Sequence, residues 1–192
     1  MVRNLQGAHP VNTRFFQRLI KRLLQEQFSK KDFDLGVYII SVREMTRLNE
    51  TFLQHDGSTD VITFDYSDKA GRVERRIARR KRAEHPIVRP DFRPVLQGEI
   101  FVCAEEAAVQ ARRFRTSLES ELVRYLVHGI LHLEGYVDSY TTARRQMKHE
   151  EDRLVRRMSR LFDFTRLHCQ LRAKGCQAIP TRVAGRRKAQ SF

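Results

Sequence analysis

The spacing of apolar residues changes its period several times along this chain. Between positions 13 and 27, Phe15, Phe16, Leu19, Ile20, Leu23 and Leu24 recur as one broad helix face, and Asn12 or Thr13 stands where the first turn needs a cap. DLGVYIIS (34–41) is a nearly continuous apolar run and predicts a buried strand. VREMTRLNETFL (42–53) returns to the helical period, with Val42, Met45, Leu48 and Phe52 expected on one side. TDVITFDY (59–66) and LQGEIFVC (96–103) are rich in β-branched and aromatic residues and predict two more strands. From Ala104 to about Phe162 the pattern is helical, with Thr116 and Glu119 spaced as a capping box before the helix that carries two histidines. Strands in the first half and helices in the second predict a single α+β domain.

Two stretches fit no element. Residues 69–82 (KAGRVERRIARRKR) hold eight Lys/Arg and one Glu, and HPIVRPDFRP follows with three prolines. Prolines oppose regular structure, so 67–95 reads as an exposed basic excursion inside a domain spanning 1–165. The stretch 166–192 is again basic, with Arg182, Arg186, Arg187 and Lys188, lacks sustained periodicity, and reads as a C-terminal extension. A formal net charge of +14 and a pI near 10.4 point to a polyanionic partner, nucleic acid ahead of a membrane. No apolar run reaches the roughly 18 residues a membrane span needs. Three cysteines (Cys103, Cys169 and Cys176) form no disulfide framework, which favours a reducing compartment, and His168, Cys169 and Cys176 match no zinc-finger spacing. Residues 1–25 carry five cations and no acid, a composition shared with transit peptides, but the periodicity of 13–27 favours a folded helix.

The chemistry concentrates in LVHGILHLEGYVDS (126–139). Positions four apart share a helix face, so His128 and His132 can both offer a ring nitrogen to one cation. Leu126, Val127, Ile130, Leu131 and Leu133 make this helix apolar nearly all round, and Gly129 permits close approach by another element. Gly135 suits a left-handed helix end, after which Asp138 can return to the same cation. Two nitrogens, one carboxylate and an open position suit a catalytic zinc. The alternative is two core histidines with backbone partners; the combined spacing favours metal. A metalloprotease helix would read His-Glu-x-x-His, and here Gly129 replaces that glutamate, so proton acceptance must come from elsewhere. Glu121, two turns before the histidines, and Glu134 read as solvated charges.

HGILHLEGY resembles the His-Gly-x-Leu-His-Leu-x-Gly-Tyr signature of the YbeY family of bacterial rRNA maturation factors. STDVITFDY, LQGEIFVC and LNETF are similar to that family's Thr-Asp-Val strand, Gly-Asp-Ile strand and Leu-Asn motif, in the same order across roughly residues 2–162. The resemblance implies a zincin-like fold, a small mixed sheet packed with helices, and a cytoplasmic, zinc-dependent, single-strand-specific endoribonuclease. It also implies action on the 3′ end of small-subunit rRNA and in ribosome quality control, with rRNA and the ribosome or its small subunit as partners and no membrane. The expected state is a monomer with one zinc per chain. His128 and His132 match the first two zinc ligands. Asp138 stands where the family has a histidine, with His149 as the rival third ligand. Leu53 replaces an arginine of the family's RNA cleft; Arg75, Arg76, Arg79, Arg80 and Arg82 of the excursion are the candidates to replace its phosphate contact. Two other readings stay open: a zinc hydrolase of another class on this scaffold, and a non-catalytic RNA-binding assembly factor. No general base is identified.

Overall fold

The structure, a computed structural model, describes residues 1–29, 32–66 and 95–168. The elements run β1 (Val2–Asn4), α1 (Thr13–Gln27), β2 (Phe33–Ile40), α2 (Val42–Leu48), a π turn (Asn49–Leu53), β3 (Val61–Asp65), β4 (Leu96–Cys103), α3 (Ala104–Phe114), α4 (Leu118–Leu133), α5 (Thr141–Leu161) and a 3-10 turn (Phe164–Leu167). The sheet has the order β1-β2-β4-β3; β1, β2 and β4 are parallel, and β3 lies antiparallel on β4 at one edge. Parallel neighbours need a crossover, which α1 provides between β1 and β2.

Strand alternation divides the molecule into two cores. On one face Leu35, Val37 and Ile39 of β2 and Leu96, Ile100 and Val102 of β4 pack with α1, α4 and α5. On the other, Ile40, Ile62 and Cys103 meet Met45 of α2, with Tyr38, Phe64 and Phe101 partly buried beside them. All six apolar residues of the expected α1 stripe are buried, and the Asn12 side chain caps the helix by accepting from the Phe15 amide. Leu167 is buried too: the Asn12 amide donates to its carbonyl, drawing the 3-10 turn back onto α1.

Two local expectations are corrected. VREMTRLNETFL is not one helix: α2 ends at Leu48 and the π turn inserts an extra residue per turn. The apolar stripe therefore rotates out of register. Met45 is fully buried, whereas Phe52 is exposed, its ring edge-on against Phe64; Val42, which precedes the π turn, is exposed at the first position of α2. Second, Ser117 caps α4, accepting from the Ser120 amide, in place of Thr116. The Thr116 amide is occupied closing α3, where it donates to the Ala111 carbonyl after Arg115 turns left-handed. The short strand β1, which three residues are too few to announce by pattern, pairs Val2 with Val37.

Candidate metal centre

Helix α4 is buried on every side but one. From Glu121 to Leu133 the positions that escape full burial are Arg124, His128 and His132, a single stripe four residues apart. The opposite side presses into the sheet at Gly129, where an added Cβ would lie 2.8 Å from Ile100 Cγ2 and 3.2 Å from Thr63 Cγ2. Glycine at 129 thus sets how closely the histidine-bearing helix can approach β3 and β4.

The end of α4 delivers the third group. Gly135 has φ +87°, its amide donates to the His132 carbonyl at 2.8 Å, and the Tyr136 amide donates to the Leu131 carbonyl at 2.9 Å. This pair of bonds is a Schellman reversal, which satisfies carbonyls left open at the helix end. The chain then doubles back, and the Arg144 Nε donates to the Asp138 carbonyl at 3.2 Å, tying the loop to the start of α5. As a result, one ligand atom each from His128, His132 and Asp138 lie within 4.8 Å of one another. His149, the rival, is exposed on α5 and is outside this group.

Both imidazoles are held from behind. His128 Nδ1 lies 3.0 Å from Glu151 Oε2, and His132 Nδ1 lies 3.2 Å from the Tyr136 carbonyl. Acceptors at both Nδ1 atoms select the tautomers whose Nε2 carries a bare lone pair. Those two Nε2 atoms face each other at 3.1 Å. Two lone pairs so placed repel unless a cation lies between them, and tetrahedral ligands about 2.0–2.1 Å from a zinc are about 3.3 Å apart. Burial, then the neighbouring His128, lowers the His132 pKa against the opposing pull of Asp138, so His132 stays neutral and able to ligate. The donor set fits a divalent metal of the zinc type.

Glu151 escaped the sequence reading. Its signal was an acid on the apolar stripe of α5, in phase with Ala143, Met147, Leu154, Val155 and Met158. Burial works to raise its pKa, but hydrogen bonds with His128, Lys148 and Arg124 outweigh that and hold it at about 2. Arg124 Nη1 donates to Glu151 Oε1 and Asp152 Oδ1, both at 2.6 Å, and Lys148 Nζ reaches Glu151 Oε1 at 2.8 Å. Glu121 is also no solvated charge: it is 3% exposed, accepts from the Thr116 hydroxyl at 2.6 Å, and lies 3.8 Å from the Arg124 Nε. Glu134 is half-buried. Leu53 is exposed on the π turn, and Arg75, Arg76, Arg79, Arg80 and Arg82 lie outside the described residues.

A cleft of about 420 Å³ opens beside His128, between the segment Ser58–Asp60 and helices α3, α4 and α5. A mixed sheet with an antiparallel edge, and a helix offering two imidazoles joined by a carboxylate after its terminal turn, define an α+β domain built around a candidate metal site with an adjoining cleft.

The comparisons name the family. Residues 1–159 match the family model of Endoribonuclease YbeY. The Endoribonuclease YbeY of Chlorobium phaeovibrioides is 31% identical over 135 residues, which cover 70% of this chain and 75% of that relative. The Endoribonuclease YbeY of Anaeromyxobacter dehalogenans is 29% identical over 158 residues, covering 81% of this chain and 71% of the relative. A Thermotoga maritima protein of known solution structure aligns with a TM-score of 0.52 at 25% identity, over 91% of this chain and 100% of that one. The chain belongs to the Endoribonuclease YbeY family.

Proposed function

We propose that this protein is a zinc-dependent, single-strand-specific endoribonuclease that matures the 3′ end of small-subunit rRNA, working in the cytoplasm as a monomer on the ribosome or its small subunit. The coarser statement, a metal-dependent endoribonuclease of rRNA processing, follows from the family. The observation that carries the finer reading is the 3.1 Å convergence of the two Nε2 atoms with Asp138 nearby, at the position of the family signature.

His128, His132 and Asp138 would hold the ion, which supplies Lewis-acid polarisation of a phosphodiester and acidification of water. The chain's own residues do the rest. Glu151 and the Tyr136 carbonyl fix the ring orientations, Gly129 seats the helix against the sheet, and the Schellman turn brings Asp138 back. The arginines at 75, 76, 79, 80 and 82 are proposed to contact phosphates in place of the family arginine that Leu53 replaces. A protease reading is disfavoured because the helix position of a metalloprotease's glutamate is Gly129, packed against Ile100.

The test measures metal content and cleavage together. The purified protein is expected to hold about one zinc per chain and to cut single-stranded but not duplex RNA. His128→Ala should abolish both properties, and Asp138→Ala should weaken zinc binding far more than His149→Ala. Full zinc content in the His128→Ala, His132→Ala double variant would end the metal-site reading.

A further inference from the structure

The cleft beside His128 has a lining that a phosphate binder would not have. Asp60, Glu106, Glu121 and Glu151 bring four carboxylates to it, against the two cations Arg124 and Lys148. Both cations are already committed: Arg124 to Glu151 and Asp152, Lys148 to the same two acids. Glu121 and Glu151 are satisfied from within the protein, as described above. Apart from the His128 edge, where the ion would sit, the lining is net acidic, so the rest of the cleft selects a neutral part of a nucleic acid.

The groups that stay open point to that part. Glu106, Gln110 and Phe114 recur every four residues along α3 and all line the cleft. Neither the Glu106 carboxylate nor the Gln110 amide has a hydrogen-bond partner among the described residues, and Phe114 is 62% exposed, with the Arg113 guanidinium 5.4 Å from its ring centroid over one face. At the α4 wall, Tyr125 is 5% exposed, and its hydroxyl is buried without a hydrogen-bond partner among the described residues. Burial, then the charges of Asp60, Glu121 and Glu106, raise its pKa far above the ordinary tyrosine value, which keeps the hydroxyl protonated and places it among the carboxylates of the cleft. An orphaned buried donor, an open carboxylate, an open amide and an exposed aromatic ring are the fittings with which proteins hold an unpaired base: stacking on the ring, hydrogen bonds to the Watson–Crick edge. The volume of about 420 Å³ falls within the range of small-molecule sites, roughly 300–1,000 Å³.

We propose that this cleft is a nucleobase subsite of the ribonuclease, taking an unpaired base that carries an exocyclic amino group beside the phosphodiester at the metal centre. The proposal rests on the ribonuclease reading and adds a base preference to it. Glu106 accepts from the amino group, whose two N–H bonds suit a wall of acceptors. The Tyr125 hydroxyl donates to the neighbouring ring nitrogen, and Phe114 stacks. Uracil presents a carbonyl where cytosine presents that amine, so its O4 would face the Glu106 carboxylate with no proton between them. Cytosine is therefore accepted and uracil refused.

The test uses the zinc-loaded protein and fluorescence anisotropy with single-stranded octamers of 2′-O-methyl cytidine and of 2′-O-methyl uridine, which differ in the base alone. A correctly made base contact discriminates by about tenfold or more, so the cytidine octamer should bind at least about tenfold tighter. Glu106→Gln removes a negative charge, and simple repulsion would then tighten binding to both octamers equally. The subsite predicts instead that the ratio collapses to within about twofold. Tyr125→Phe should lower the ratio with no fall in thermal stability, because the hydroxyl removed had no partner to lose. A ratio near one in the unaltered protein overturns the proposal, as does a ratio that survives both substitutions. Cleavage of the matching RNA octamers is scored separately: no cleavage with the ratio intact would sink the nuclease reading and leave the subsite standing, and no binding of either octamer would sink both.

Discussion

Replacing Glu151 with glutamine tests whether the metal centre depends on a residue that is not itself a ligand. The carboxylate uses both oxygens: Oε2 faces His128 Nδ1 at 3.0 Å, and Oε1 accepts from Arg124 at 2.6 Å and Lys148 at 2.8 Å. Glutamine has one accepting oxygen. Two charge-assisted bonds from cations outweigh one from a neutral imidazole, so the amide oxygen stays with Arg124 and Lys148. Its NH₂ then faces His128 Nδ1 and selects the opposite tautomer, with the proton on Nε2 where a metal would bind. Removing such a support behind a histidine ligand typically costs 10–100-fold in metal affinity, about 1.4–2.7 kcal/mol. The fold itself should hold, because Asp152 still pairs with Arg124 and the Lys148 side chain, 55% exposed, contributes little to stability. Zinc affinity is read by competition with a chromophoric chelator, and the His128 tautomer by ¹⁵N chemical shifts of the metal-free protein. Affinity within about threefold of the unaltered protein, or an Nδ1 proton that stays in place, would refute the argument.

Two further predictions follow from other parts of the molecule. Thr116→Val keeps the shape of the side chain but removes the donor, 2.6 Å away, from the buried Glu121 carboxylate; unfolding in denaturant should show a loss of about 1–3 kcal/mol, and an unchanged midpoint would show that Glu121 is satisfied otherwise. Replacing the arginines of residues 69–82 with serine should flatten the dependence of log RNA affinity on log salt by about 3 units, since about half of the eight basic residues there at about −0.7 per single-strand phosphate gives that slope; zinc content should not change, and an unaltered slope would mean that RNA follows another path.

The sequence by itself determined whatever depends on neighbours along the chain. Periodicity located α1, β2, β3, β4 and the long helical half, because burial of one face imposes the period of the element on the residues. The same locality made half of the metal centre legible. His128 and His132 share a face because a helix turn separates them, and Gly135 reverses the chain because α4 ends in a left-handed residue. Other choices were made only by tertiary packing. Glu151 reaches His128 from a different helix, 23 residues along the chain, and only the packing of α5 against α4 could reveal which acid on that helix turned inward. Asp138 and His149 were both eligible ligands by type; the loop tied down by Arg144 sets a carboxylate oxygen of Asp138 within 4.8 Å of the imidazole nitrogens, while His149 stands on the exposed face of α5. The π turn at Asn49–Leu53 shifted the apolar phase that the sequence presented as continuous, exposing Phe52. Likewise, the cleft draws Asp60, Glu106 and Tyr125 from a loop and two helices. The physical reason is common to all of these: a side chain's partner across the fold is set by how whole elements pack, and packing is decided by the sum of many buried contacts that no short window of sequence contains.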